Sequence, residues 1–314
     1  MTHVVVTGAQ GFVGQSLVKR LLKDGLGGQR VTRLTLMDLR FDGLHADERV
    51  RQVAGSIADP AVRAMAYSEP VDAVFHLASV PGGAAEKNYA LGRAINLDAT
   101  VGLLEDLRGQ PAPPAFVFAS TVAVYGEKLP AHIDEQTIPA PALSYGAHKL
   151  AGELLVADAS RLGWVRGCSL RLPGVVARPG DGEGMMSAFM SQLFWRLAAA
   201  QPITLPVSPD GVAWWISVGA CVDNLLHAAT ADVATLDARR SYQMPVLRLT
   251  VAEVVAALAR RFGADRAALV HYQPDAFIER LFAAYPPLST PAAERFGLKS
   301  DGNVDALITR AMAD

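Results

Sequence analysis

Val4-Val5-Val6-Thr7-Gly8-Ala9-Gln10-Gly11-Phe12-Val13-Gly14 stands near the start of the chain. A β-branched run passes into three evenly spaced glycines and then into Leu17, Val18, Leu21 and Leu22, which share one helical face. The pattern reads as a buried strand, a tight turn and an amphipathic helix. At the turn, Gly8 permits the bend, Gly11 lets the backbone approach a pyrophosphate, and Gly14 allows the helix to pack closely on the strand. The N–H groups and dipole at the helix start, around Gln10, Gly11, Phe12 and Val13, favour phosphate anions. A glycine-rich turn with no ligand is the plain alternative. The strand before it and the helix after it favour the dinucleotide reading.

The next apolar run ends in Met37-Asp38, with Asp38 placed 24 residues beyond Gly14. An acid about 20 residues past such a loop accepts hydrogen bonds from adenosine-ribose hydroxyls and repels a 2′-phosphate, so NAD is expected over NADP. Arg40 leaves two readings open, a partner for a 2′-phosphate or a solvated loop arginine.

Near-continuously apolar runs at 3–7, 33–38, 49–54, 73–78, 115–120 and 167–172 alternate with helical patterns at 12–23, 60–67, 86–107 and 144–161. Alternation of this kind predicts an α/β fold, a Rossmann-type doubly wound parallel sheet covered on both faces. After Leu172 the texture changes: Pro173-Gly174, Arg178-Pro179-Gly180 and Gly182-Glu183-Gly184 mark a boundary. Residues 1–175 are read as the dinucleotide-binding domain and 176–314 as a smaller C-terminal substrate lobe, with elements from about 219–246 returning to the sheet. The lobe is expected to hold helices at 186–199 and 220–231, an aromatic segment at 214–218, and a helix at 251–262 capped by Thr250.

Composition excludes several classes. A chain of 314 residues with 51% hydrophobic and 19% charged content is neither disordered, collagen-like nor a disulfide scaffold. A formal charge of −2 without a Lys/Arg stripe argues against nucleic acid. Cys168 and Cys221 lack Cys-x-x-Cys spacing and the seven histidines form no His-x-x-x-His pair, so no metal site is expected and a reducing cytoplasm is. Met1-Thr2-His3 lacks the basic residues of a leader, and no apolar run reaches the ~20 residues of a membrane span.

Four further stretches carry chemistry: Ser120-Thr121-Val122-Ala123-Val124-Tyr125-Gly126, Ser144-Tyr145-Gly146-Ala147-His148-Lys149, His76-Leu77-Ala78, and Asn96-Leu97-Asp98-Ala99-Thr100. With the Gly-x-x-Gly-x-x-Gly loop they make the chain resemble, over nearly its whole length, the extended short-chain dehydrogenase/reductase family, the NAD-dependent epimerases and dehydratases. The residues alone support the central pair. Tyr145 and Lys149 are four apart, so they share a helix face. A phenol titrating near 10 is a poor base at neutral pH, and a neighbouring ammonium is expected to lower it. The lysine's spare donors suit the nicotinamide-ribose hydroxyls. The plain alternative is an exposed Tyr/Lys pair.

The resemblance implies that Thr121 is the hydroxyl bonding the reacting oxygen, with Ser120 as its understudy. Asn96 then fixes a water on a proton path from the lysine, or else makes a local helix hydrogen bond. Ser79 lies beside the nicotinamide ribose or the substrate, or is an ordinary loop serine. Leu77, Ala78, Pro173 and Val175 line the cofactor, and Ser56-Ile57 sit at the adenine. Ser56 replaces the family's usual Asp there, which weakens that contact. A homodimer through the helices around 86–107 and 144–161 is also implied.

Relatives acting on nucleotide-sugars carry an Arg-Asp-aromatic segment whose Arg pairs the diphosphate; here Ala213-Trp214-Trp215-Ile216-Ser217-Val218 stands in its place. Leu91–Asp98, Leu170–Gly180 and Asn224–Ala229 instead resemble the group of this family that oxidises small sugar acids such as D-erythronate at C2. Arg178 is then the candidate cation for the substrate carboxylate, its alternative being a loop arginine. Trp214 and Trp215 either wall a small pocket or pack a core. Two rivals stay open: a nucleotide-sugar epimerase or dehydratase retaining its NAD, and a dinucleotide-sensing module without catalysis, which would have no need of the Tyr/Lys pair.

Overall fold

The computed structural model describes residues 2–180, 185–232 and 236–313. Gly182-Glu183-Gly184, part of the expected boundary, lies outside them. The strands in chain order are β1 (His3–Thr7), β2 (Arg33–Asp38), β3 (Val50–Ala54), β4 (Ala73–His76), β5 (Ala115–Thr121), β6 (Arg166–Leu172), β7 (Gly174–Val176), β8 (Ile203–Leu205), β9 (Val212–Ser217), β10 (Ser241–Gln243), β11 (Leu247–Thr250) and β12 (Val270–Tyr272). The helices used below are α1 (Phe12–Asp24), α2 (Pro60–Ala66), α3 (Gly82–Lys87), α4 (Tyr89–Arg93), α5 (Ala99–Leu107), α6 (Ser144–Arg161), α7 (Ala188–Ala198), α8 (Val218–Thr230) and α9 (Val251–Phe262).

The chain divides into two compact units, Met1–Gly126 with Pro139–Arg171 and Val222–Gln243, and Glu127–Ile138 with Leu172–Cys221 and Met244–Asp314. The first holds a seven-stranded parallel sheet in the order β10-β6-β5-β4-β1-β2-β3. From β1 the chain steps outward to β2 and β3, then returns to β4 on the other side of β1. The strand order reverses between β1 and β4, and ligands of open parallel sheets bind at the carboxyl ends of such a pair. Central strands are buried throughout, as the continuous apolar runs require. Val5, Met37, Val74, Leu103, Phe116, Phe118 and Val156 pack into one core beneath the site.

In the second unit, β11-β9-β7 form one small sheet and β12-β8 another. Its core gathers Phe189, Leu193, Phe194, Trp215, Val254 and Leu258. Helix α9 begins with the expected cap, Thr250 and Glu253 closing a reciprocal capping box.

One expected element is broken. In place of a continuous helix over 86–107, the structure has α3, α4, a π-helical turn at Ala94–Asp98, and α5. Asn88 leaves helical geometry and accepts the Leu91 N–H with its side chain, which starts a new helix. The π turn puts the buried Asn96 where its amide bonds both backbone groups of Val80, a use typical of such turns at functional sites. The strand expected over 73–78 ends at His76, which frees Leu77-Ala78-Ser79 as a loop.

Candidate active site

The glycine loop leaves β1 at Thr7 and enters α1 at Phe12. Gly8 has φ 70°, and a Cβ there would stand 2.7 Å from the Ala78 nitrogen just after β4. A Cβ on Gly14 would strike the Gly8 carbonyl, so α1 lies nearer the loop than any side chain allows. Gly11 is exposed, donates to the Gly8 carbonyl at 3.0 Å and precedes a helix start that no side chain caps. Phe12 and Val13 follow, half-buried.

Asp38 ends β2 and accepts the backbone N–H of Gln10 at 2.8 Å on one carboxylate oxygen and that of Leu39 at 2.8 Å on the other. Each oxygen keeps a lone pair for a ribose hydroxyl. Ser56 turns the chain after β3 by accepting the Ala58 N–H, and the buried Ile57 offers its carbonyl to Arg63, which is anchored by Asp106. Close-packed glycines, an uncapped helix start and an acid at the β2 terminus are what a dinucleotide requires, so the residues present fit one. Gly8→Ala is expected to raise the Kd for dinucleotide at least about tenfold, since left-handed strain and a backbone clash coincide. Fluorescence titration with NADH measures this, and an unchanged Kd would remove the loop from the binding site.

At the switch between β1 and β4, donor counting settles a histidine. Thr100 Oγ1 donates to the Asn96 carbonyl at 3.1 Å, so toward His76 it accepts from Nε2–H at 3.0 Å. His76 Nδ1 is therefore the acceptor for Thr7 Oγ1 at 2.7 Å, leaving Thr7 Oγ1 to receive the Ala78 N–H. Burial first, and the Lys149 charge second, hold this imidazole well below its usual range, hence neutral. The string clamps the β1 and β4 ends, from which Ser79 is presented.

Tyr145 lies in the first turn of α6, whose start is fixed by the Glu86 carboxylate accepting the Ser144 N–H. Its phenol faces the Thr121 and Ser79 hydroxyls, whose proximity favours the phenolate against burial. Thr121, the last residue of β5, also receives the Ala123 N–H at 3.1 Å. Thus β4, β5 and α6 bring three hydroxyls together. Ser120 is turned elsewhere, donating to the buried carboxylate of Glu153. Lys149 is buried, donates to the Ala119 carbonyl at 2.7 Å and lies 4.6 Å from the Phe118 ring centroid and 5.9 Å from that of Tyr145.

The electrostatics correct one expectation. Burial pushes the Tyr145 phenol up, opposed by the Thr121 and Ser79 hydroxyls, so desolvation governs it and not the lysine. Burial likewise lowers Lys149 to about 7, against the pull of Glu153. Asn96 closes on Val80 and so fixes the loop that carries Ser79.

Pro173, Val175 and Arg178 belong to the second unit. Pro173 precedes β7, Val175 lies in it, and Arg178 is half-buried, its backbone held by Ser191 and by the Trp195 indole. Trp214 and Trp215 are core residues, each with its indole N–H on a carbonyl, of Pro286 and Leu249.

Sequence reasoning missed the buried pair Glu153 and Arg171. Arg171 grips both carboxylate oxygens, at 2.9 and 2.7 Å, and donates to the Tyr125 hydroxyl at 3.0 Å. Glu153 could have been found, because it continues the Tyr145, Lys149 spacing by four more residues. Its partner, on β6, left no local signal. Among the described residues no cluster of three or more His, Cys, Asp or Glu could hold a metal, and no helix is long and apolar enough to cross a membrane.

Residues 4–244 match the model of the NAD dependent epimerase/dehydratase family. The chain is 37% identical to D-erythronate dehydrogenase of Cupriavidus necator, covering 99% of this chain and 98% of that one. It is 31% identical to D-erythronate dehydrogenase of Haemophilus influenzae, covering 97% of each. Among solved structures, the nucleoside-diphosphate-sugar epimerase from Agrobacterium tumefaciens superposes with a TM-score of 0.92 at 32% identity, over 100% of this chain and 94% of that one. With the seven-stranded sheet and its dinucleotide loop already in place, the chain belongs to the NAD dependent epimerase/dehydratase family and is an NAD-dependent oxidoreductase within it.

Proposed function

We propose that the protein oxidises the C2 hydroxyl of a small sugar acid, D-erythronate to 2-keto-D-erythronate. The observation that carries this reading is the meeting of the Tyr145, Thr121 and Ser79 hydroxyls beside a buried Lys149. NAD, when bound, supplies the hydride acceptor. Gly8, Gln10, Gly11, Phe12, Val13, Gly14 and Asp38 hold its diphosphate and ribose, Ser56 and Ile57 its adenine, and Leu77, Ala78, Pro173 and Val175 its flank. Tyr145 takes the proton from the C2 hydroxyl as that carbon becomes a carbonyl. Thr121 and Ser79 hydrogen-bond the same oxygen, and Lys149 holds the ribose hydroxyls and steadies the charge that develops on the phenol. Asn96 keeps Ser79 in place through Val80.

A substrate of this size suits the second unit's sequence, since the position of a diphosphate-pairing arginine is the buried Ala213. The two relatives named as D-erythronate dehydrogenases support the choice of acid. The carboxylate goes to Arg178, and Arg178→Met is expected to raise KM for the acid at least about tenfold with a smaller change in kcat, as removal of a charged hydrogen-bond donor does. Steady-state kinetics decides, and an unchanged KM would reassign the carboxylate.

The name of the Agrobacterium structure favours a second reading, a nucleotide-sugar epimerase. The test is incubation with NAD and either D-erythronate or a panel of nucleotide-sugars. Net NADH with the acid supports the dehydrogenase, whereas an isomerised sugar without net NADH supports the epimerase. A homodimer through the helices around 86–107 and 144–161 and a reducing cytoplasm complete the proposal; the latter is supported by Cys168 and Cys221, both buried and free.

A further inference from the structure

Glu153 lies one helical turn beyond Lys149 and two beyond Tyr145, on the same face of α6. It is almost wholly buried, and a lone carboxylate there would be costly. Two oxygens are shared among three donors: Ser120 Oγ and Arg171 Nε on Oε1, Arg171 Nη2 on Oε2. Ser120 immediately precedes Thr121 at the end of β5, so the carboxylate ties the helix of the Tyr/Lys pair to the strand end bearing Thr121. We propose that Glu153 is a positioning residue, acting on the reaction by placing an anion one helical turn from Lys149 and by holding the end of β5 in register with α6.

This inference rests on the roles given above to Tyr145, Lys149 and Thr121. The surroundings leave the task to Glu153. From β5, Lys149 meets the Phe118 ring and the Ala119 carbonyl. From β4 it faces the neutral His76, and on its own helix Tyr145 and Glu153. Arg171 on β6 is paired with both oxygens of the same carboxylate. Glu153 is thus the anion that offsets desolvation of the ammonium, and burial is what it works against.

Two experiments separate this role from packing. The first reads no turnover. Urea unfolding of wild type, Lys149→Met, Glu153→Gln and Glu153→Gln/Lys149→Met between about pH 6 and 10 isolates the pH-dependent part of Lys149's contribution in each background. The expected result is that this part moves to lower pH by about one pH unit when Glu153 is Gln. Superimposable curves would overturn the proposal. The second is the pH profile of kcat/KM. Glu153→Gln is expected to lower kcat about tenfold or more and to displace the profile toward acid, whereas Glu153→Asp, which keeps the charge, leaves the profile in place. Equal displacement in both, or in neither, would reduce Glu153 to a structural part. Should Glu153→Gln fail to fold, Glu153→Gln/Arg171→Met removes both charges together and is read in the same way, against itself with Lys149→Met. If no turnover is found with any substrate, the unfolding cycle still decides about Glu153 while the proposed reaction fails by itself.

Discussion

Tyr145→Phe is expected to lower kcat about a thousand-fold while leaving NAD affinity within about threefold of wild type, because a positioned acid–base group contributes on the order of 10²–10⁴ and the ring stays in place. The loss should appear in kcat and kcat/KM together, since the missing group acts on the proton in flight and not on binding. The pH dependence has a sign. Burial raises the phenol, so the fraction present as phenolate, and with it the oxidation rate, grows as pH rises through the neutral and alkaline range. NADH formation against pH for both proteins checks this. A variant keeping more than about a tenth of the activity would show that another group takes the proton.

Lys149→Met should separate turnover from stability. Turnover falls by about a hundredfold or more, since the amine proposed to hold the ribose hydroxyls beside the Tyr145 ring is gone. Stability is expected to move the other way near neutrality. The folded lysine titrates at about 7 against 10.5 when unconstrained. Between those values the unfolded chain holds a proton that the folded chain does not, so wild-type stability rises with pH across that window and is penalised in full below it. At ~1.4 kcal/mol per pH unit the penalty is a few kcal/mol, larger than the roughly 1–3 kcal/mol lost when the Ala119 carbonyl gives up this donor. The methionine variant should therefore unfold at higher urea than wild type at pH 7, with the gap closing toward pH 10. A variant less stable at pH 7 would mean that Glu153 fully compensates the buried ammonium.

Much of this was legible in the sequence where one segment contains its own explanation. Strand β1, the glycine loop and α1 follow one another, and the spacing of Gly8, Gly11 and Gly14 carries both the turn and the close packing. Helix α6 begins and ends where its pattern predicts, with Tyr145 and Lys149 on one face. Elsewhere the decisive partner is remote. The 86–107 stretch keeps helical periodicity throughout, so nothing in its apolar pattern announces the break at Asn88 or the π turn, which serves a bond to Val80. Ser120 and Thr121 are adjacent hydroxyls; what tells them apart is that Glu153, on another element, takes the first. The direction of the Tyr145 shift depends on enclosure, which spacing does not reveal.

The carboxylate of Asp38 is a fastener for the glycine loop through the Gln10 N–H as well as the proposed seat of the ribose. Retargeting the protein to the phosphorylated dinucleotide by deleting this acid would therefore undo the latch in the same stroke. A designer would have to provide a replacement acceptor, as Asp38→Asn does with its single carbonyl oxygen, before adding any cation for the extra phosphate.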